Sequence, residues 1–561
     1  MTATSSGCGC FGVTRRSLLM RKAADTMPDR IGTSNSAIRD KKGIMQDTAP
    51  SQAAPNAQRL LWAGFMAILA AGVGFSIRGG ILGQWAEKFG FTMTDLGNIT
   101  GGGLTGFGII ILAGAFIADK VGYGKLMALA FVTHLISAIL TLAAGAAFAA
   151  GGKEAAFQCL YWGMFLFAVG NGFCEAVVNP LVATLFPTNK THYLNILHAG
   201  WPGGLIIGGL MSYFMNPDAA KPVTWEIQMS LFMVPVLLYG VMLLGQHFPK
   251  SEASQAGVSY GKMFSQLLAP VMIALLVIHA LVGYVELGTD SWIGKITGAI
   301  MASKQKGLLL FVYTSGLMFA LRFFAGPIVE KISPLGLLFI SGLLGFGGLQ
   351  LLGDATTVAM CITAATVYAC GKTFLWPTML AVVSEQFPKG GAITIGAIGG
   401  AGMLSAGLLG GPGIGFKQDF NASNQLQASS PAVYERYKSN EENHFLGYKV
   451  VGLDGAKVGV LDDGGKELAR AAEIQKKEGK SDKNTDALVK WWDEAKTTAD
   501  ADKKLVDEAG LHGGKVALKL TSYVPLTMAG LYLLLIFYFK ARGGYKAVHV
   551  SGEPETGADM A

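Results

Sequence analysis

Residues 157–185 read FQCLYWGMFLFAVGNGFCEAVVNPLVATL, twenty-nine residues whose single charged side chain is Glu175. A bilayer core of about 30 Å is crossed by roughly 20 predominantly apolar residues as helix, because lipid offers no partner to a bare peptide group. A charge inside such a run costs about 2.5–3.5 kcal/mol on insertion scales and persists mainly where it faces a cavity or a partner. Asn171, Glu175 and Asn179 fall at i, i+4 and i+8, so they lie along one face of the helix. A carboxylate flanked by amides suits a proton-accepting site for a hydroxyl-rich solute, since amides bond hydroxyls and a desolvated carboxyl holds a proton.

Eleven further runs of this kind surround it. The twelve lie at about 60–82, 96–118, 125–150, 157–185, 193–214, 227–247, 266–289, 307–329, 335–353, 357–384, 391–415 and 517–540. The composition agrees: 51% hydrophobic, 15% charged, 76 glycines and a mean hydropathy of +0.41 describe a chain that water would not keep in solution. The expected fold is therefore all-α and integral to the membrane, with twelve transmembrane helices in two six-helix bundles. The polar stretch from Phe248 to Lys262 joins the halves, a plan shared with transporters built from repeats. The expected parts are a leader at 1–59, a first bundle at 60–247, a linker at 248–263, a second bundle at 264–416 plus 516–540, an insert at 417–515 and a tail at 541–561.

Charge sets the orientation. With both termini in the cytoplasm, thirteen Lys and Arg fall on the inner side, among them Lys120, Lys125, Lys190 and Lys331, against six outside. That is the bias that insertion into an inner (plasma) membrane favours. Thr14-Arg15-Arg16-Ser17-Leu18-Leu19 has a twin-arginine look, but Arg21, Lys22, Asp25 and Asp29 occupy the place of an apolar core, which argues against a signal peptide. The leader is expected to be disordered, and Met27 or Met45 would serve equally as a start. Its nine basic residues against four acidic carry much of the net +7. The cytoplasmic ends of the helices account for the rest without nucleic acid.

The block 417–515 holds 34 of the 83 charged residues, so it is expected outside the bilayer, facing outward between helices eleven and twelve. Tyr448 to Leu461 reads as a β-hairpin turning at Asp454-Gly455. Residues 484–509 read as helix, with Trp491 and Trp492 as a packing anchor. The block is either a small accessory cap or a loose loop, and is expected to be dispensable for transport because loop closure entropy grows slowly with length.

Other polar groups stand in apolar runs. Span five offers Asn195, His198 and Trp201; span seven has Glu286 and Asp290 one turn apart; span ten places Tyr368, Lys372 and Trp376 at i, i+4 and i+8. Aromatic rings stack on sugar faces while polar groups bind sugar edges, although helix packing explains the rings equally well. Arg78 and Arg322 call for counter-charges, and Glu175, Glu286 and Asp290 are available. After span two, Asp119 with Lys120 and Lys125 is suited to a breakable charge latch, echoed after span eight by Glu330. The six cysteines form no framework, and no metal spacing, nucleophile set or phosphate loop appears; the chain is not expected to be an enzyme or to carry a cofactor or metal.

The stretch Gly114 to Lys125 resembles the loop-2/3 signature of the major facilitator superfamily. Within it, Gly172 to Pro180, followed by Tyr193-Leu194-Asn195-Ile196-Leu197-His198 and Gly203-Gly204, resembles the fourth and fifth helices of the fucose/glucose/galactose:proton symporters. Glu286 with Ser291-Trp292, Trp376-Pro377-Thr378 and Gly399 to Gly402 are similar as well. The resemblance covers about 60–416 and 517–540. It implies a major facilitator fold and a sugar cavity with Glu175 as the proton-linked carboxyl. It also shows departures: the family's span-one aspartate falls near Gly79, beside Arg78, and its span-five glutamine and asparagine fall at His198 and Trp201. The expected function is proton-coupled uptake of a monosaccharide by a monomer. Transport of a sugar acid or other organic anion is the alternative, drawn from Arg78, Arg322 and Lys372. A non-transporting receptor using the insert is a second alternative.

Overall fold

A computed structural model describes residues 55–91, 96, 98–100, 103–215, 223–478 and 483–550. Nearly all of the expected leader and the end of the tail lie outside these residues. Among the described residues, nine helical stretches are long and apolar enough to cross a membrane: Ala57–Trp85, Asn98–Val121, Tyr123–Leu185, Trp225–Leu243, Pro270–Ile300, Ala325–Asp354, Val358–Gln386, Pro388–Ser429 and Ala499–Ala541. Tyr123–Leu185 is bent at Gly152, where φ 71° and ψ −161° leave the helical region. That break falls between the runs read at 125–150 and 157–185. Two further helices, Lys190–Met215 and Lys304–Arg322, are more polar and stand outside the nine.

The run read as 307–329 stops at Arg322. Phe323 and Phe324 turn the chain, and the helix Ala325–Asp354 then bends at Ser333 (φ 64°) before Pro334. Proline cannot supply the helical amide hydrogen, so the bend falls there.

Small residues set the packing. The Ala57–Phe89 helix lies along Lys190–Met215, and a Cβ at Gly204 would meet Leu69 O at 2.3 Å and Val73 N at 2.6 Å. Only a bare Cα admits that approach, the usual way for membrane helices to gain contact without a hydrophobic drive. Between the halves, Gly391–Ser405 packs on Gly103–Val121, while Lys304–Arg322 and Leu375–Gln386 pack on Lys190–Met215. Two π-helical turns, Tyr284–Gly288 and Ala406–Gly410, face each other through Gly288 and Gly410. Such turns mark places where a helix is locally rewound.

The charged block is structured, with a small core of its own: Leu426, Val433, Tyr434, Tyr437, Leu461, Val506 and Ala509, flanked by Trp491 and Trp492. Among its described residues it is folded rather than a loose loop. The hairpin is not where the sequence reading put it. Strands Asn443–Phe445 and Tyr448–Val450 pair around Leu446-Gly447, whereas Asp454 caps the helix Gly455–Asp463 by accepting from the amides of Ala456 and Lys457. An Asp-Gly pair serves either purpose, and the capping use prevailed. The helix expected over 484–509 is two, Lys483–Ala495 and Ala499–Ala541. Neither flanking helix stops at the expected borders: Gly411–Ser429 runs past 417, and Ala499–Ala541 begins well before 515.

Candidate functional site

The bent helix Tyr123–Leu185 carries Glu175 and Asn179 one turn apart, and Asn179 Nδ2 donates to Glu175 Oε2 at 2.6 Å. Asn179 Oδ1 lies 2.8 Å from His198 Nε2 on the neighbouring helix, and that same nitrogen is 4.0 Å from Glu175 Oε2. Carboxylate, amide and imidazole thus form one buried unit. Gly200 and Gly204 bring the His198 helix against Ala57–Phe89, where a Cβ would meet Phe65 O at 2.5 Å and Leu69 O at 2.3 Å.

Arg322 reaches this unit from the second half. Its Nη1 donates to the backbone oxygen of His198, its Nε to Thr373 O at 2.9 Å, and its Nη2 to Glu286 Oε1 at 3.1 Å. All four residues are buried. A buried guanidinium is tolerable because each edge finds an acceptor. Lys372 pairs with Asp290, and Tyr368, below the lysine on the same helix, donates its hydroxyl to Val285 O at 2.9 Å. Of the two arginines that called for a counter-charge, Arg322 thus takes Glu286, while Asp290 goes to Lys372.

Arg78 differs. It pairs with none of those carboxylates; its guanidinium lies over the Phe167 ring at 3.9 Å and donates to Ser137 Oγ at 3.1 Å and Gly74 O at 3.3 Å. Aromatic faces and neutral acceptors stand in for the counter-charge. Asn171 shares a helix face with Glu175 but is engaged elsewhere, 3.0 Å from His134 Nε2, with His134 Nδ1 2.9 Å from Tyr239 OH.

Asn195 Nδ2 donates to Thr191 O at 2.8 Å and to Thr378 Oγ1 of the second half at 3.3 Å. Trp201 contacts Phe75, rings 5.6 Å apart, and both line a small pocket with Leu104, Leu205, Leu287, Asp290 and Phe311. Trp376 packs against His279 at 4.6 Å. The sequence reading missed His279. It is fully buried with both ring nitrogens unpartnered, yet its near neighbours in the chain are wholly apolar, so no pattern singled it out.

The residues expected to form a charge latch are not paired with one another. No ion pair joins Asp119 to Lys120 or Lys125 among the described residues; Lys120 lies over the Tyr260 ring at 4.2 Å, and Asp119 Oδ2 has no hydrogen-bond partner. That oxygen faces Gly391, where a Cβ would come within 3.1 Å, at the start of Gly391–Ser405, an end that favours negative charge. Glu330 is exposed. Nearby, Gly326 N–H donates to His192 Nδ1 at 3.3 Å. The charged contacts at this end are instead Lys190 with Glu252 (2.9 Å) and Thr191 with Glu385 (3.0 Å), which the sequence reading did not select.

The family model described as the Major Facilitator Superfamily matches residues 64–411, more than half of the chain. The chain belongs to that superfamily, whose members are transporters rather than enzymes. Its fold is similar to that of FucP, the E. coli fucose:proton symporter, in the outward conformation: 16% identity over 64% of this chain and 92% of that one, TM-score 0.53. It is also similar to the proton:xylose symporter XylE bound to 6-bromo-6-deoxy-D-glucose, with 13% identity, 67% and 91% coverage and TM-score 0.54. A bacterial homolog of the human lysosomal transporter Spinster, inward-facing and unoccupied, gives 12% identity, 86% and 97% coverage and TM-score 0.55. At these identities the likeness is one of fold. No curated protein matches the chain.

Proposed function

We propose that this chain is a proton-coupled importer of a neutral monosaccharide that works by alternating access. The carrying observation is the polar chain Glu175–Asn179–His198–Arg322–Glu286, which runs from one half into the other through contacts of 2.6, 2.8 and 3.1 Å and the Arg322 bond to His198 O. In this reading Glu175 takes the proton, and Asn179 and His198 exchange their mutual bond for hydroxyls of the sugar. Asn195, Trp201, Glu286, Tyr368, Lys372 and Trp376 complete the cavity, while Asn171 supports it from behind. Arg322 passes the change in charge at Glu175 to the second half.

The reading includes twelve spans, counting both arms of the bent helix together with Lys190–Met215 and Lys304–Arg322. The two bundles, the linker at 248–263, the outward insert, an inner-membrane location, cytoplasmic termini and a monomeric state belong to it as well. The two sugar symporters among the fold neighbours support the cargo class. An anionic cargo is less well supported, because Arg322 and Lys372 are each neutralised by a carboxylate and Asp290 itself lines the pocket beside Trp201. The test is uptake of a neutral hexose, a 6-deoxyhexose, a pentose and a uronate into vesicles with and without a proton gradient. Uronate movement without sugar movement would transfer the reading to the anion.

A further inference from the structure

Beyond its last long helix the chain turns back on itself. Gly543 and Gly544 hold φ 95° and 101°, a region that residues with side chains avoid. The Gly544 amide closes on Phe539 O at 2.9 Å and the Gly543 amide on Lys540 O at 3.2 Å. The reversal lays the Tyr545 ring against Phe539, centroids 5.3 Å apart, and points its hydroxyl at Glu385. Tyr545 OH donates to Glu385 Oε2 at 2.7 Å, Val548 N–H donates to Glu385 O at 2.9 Å, and Gln386 Nε2 donates to Lys546 O at 2.8 Å. Residues 543–548 therefore lie as a strap across the end of the helix Leu375–Gln386.

Glu385 has a second engagement. Its Oε1 accepts from Thr191 Oγ1 at 3.0 Å, on the first-half helix Lys190–Met215. Next to it, Lys190 Nζ bonds Glu252 and reaches Ser384 O at 3.4 Å. One carboxylate is thus shared between a partner in its own half, which travels with it, and a partner in the other half, which must leave whenever the halves part at this end. Burial holds the Tyr545 hydroxyl well above its usual range, so it stays a donor through physiological pH.

We propose that Glu385 is a gating residue at this end of the transport path and that the C-terminal strap, through Tyr545, is its positioning element, holding the carboxylate where Thr191 finds it on closure. The proposal rests on alternating access but not on the identity of the cargo. Without the strap the carboxylate loses its fixed orientation, and each closure has to order it again.

Thr184 lines the pocket at this end with Lys190, Glu252 and Ser384, so Thr184→Cys reports opening by its rate of maleimide labelling in the purified full-length protein, above that of the chain without it. Thr191→Val is expected to raise the rate about 3- to 10-fold, the scale of one hydrogen bond acting on a two-state population. Tyr545→Phe is expected to raise it by a comparable factor, and the double variant by little more than Thr191→Val alone, because both act through one carboxylate. A chain ending at Arg542 should behave like Tyr545→Phe and serves in its place if that variant does not fold. An unchanged rate in Tyr545→Phe beside a raised one in Thr191→Val overturns the strap alone. An unchanged rate in Thr191→Val overturns the gate itself, and multiplicative effects in the double variant make Tyr545 merely structural.

Discussion

The Arg322 guanidinium, on a second-half helix, donates to the backbone oxygen of His198 on a first-half helix while its other edge holds Glu286 at 3.1 Å. A side chain that grips its neighbour's backbone senses where that helix is, not which side chain it carries. Any rearrangement of the Glu175–Asn179–His198 unit that moves the His198 turn is therefore felt at Glu286.

The first prediction concerns that grip. Arg322→Met leaves the Glu286 carboxylate buried with no cation, which costs about 3–5 kcal/mol when one partner of such a pair is removed. Thermal unfolding in detergent should show a large fall in midpoint, and adding Glu286→Gln should recover most of it. Equal midpoints for the single and double variants would mean that Glu286 is already neutral.

A second prediction tests the close approach of the first-half helices. Gly204→Ala places a methyl 2.3 Å from Leu69 O, so the helices must separate or the turn distort, at about 1–3 kcal/mol. The same unfolding measurement should register the loss. Gly79→Ala, where a Cβ meets nothing within 4 Å, should leave the midpoint unchanged.

The membrane class, the family and the polar residues on Tyr123–Leu185 and Lys190–Met215 were legible because a charge in an apolar run stands out by itself. What joins them was not. Arg322 has Glu286 and Asp290 within range of any sensible guess, and only packing assigns it to the first. Arg78 was misjudged because a cation in lipid suggests a carboxylate, whereas Phe167 and Ser137 serve it here. The contact between Thr191 and Glu385 lay hidden because both residues sit at helix ends, where polar residues are ordinary, and their partners lie 194 and 160 residues away in the chain. The hairpin misplacement has the same root: Asp454-Gly455 is a local signal, and Phe445 against Gly413 and Phe416 is a distant contact.

A third prediction concerns the cap. Its removal at 417 and 515 would cut two helices that pack against each other, since a Cβ at Gly513 would lie 2.4 Å from Gln418 O, and Lys417 bonds Tyr284 at 3.0 Å. Replacement of 431–498 by a short Gly/Ser linker should insert and transport, while replacement of 417–515 should lose stability. Quantifying uptake per folded molecule separates the two. From outside the cap, at the start of the helix Lys304–Arg322, the hydrogen bond from Lys304 holds the Asp462 carboxyl below its usual 3.8. The contact is therefore present above about pH 4 and lost as pH falls through the lower folded value. Being exposed, it should contribute little, and Lys304→Ala should change cap proteolysis only slightly.

A fourth prediction separates cargo classes. Trp376→Ala should weaken sugar binding, read as a raised half-saturation for uptake. Lys372→Gln frees the Asp290 carboxylate and should impair sugar uptake only in part, whereas a protein whose cargo were an anion would lose most of its uptake. A uronate should neither move nor compete in the unsubstituted protein.

The most direct test is sugar accumulation by Glu175→Gln in vesicles carrying an imposed proton gradient, measured beside sugar exchange at equal concentration on both sides. Glutamine keeps the shape and an acceptor for Asn179 but takes up no proton. The account predicts that accumulation against a gradient disappears while exchange persists. Concentrative uptake equal to that of the unsubstituted protein would contradict it and leave Glu175 a packing residue.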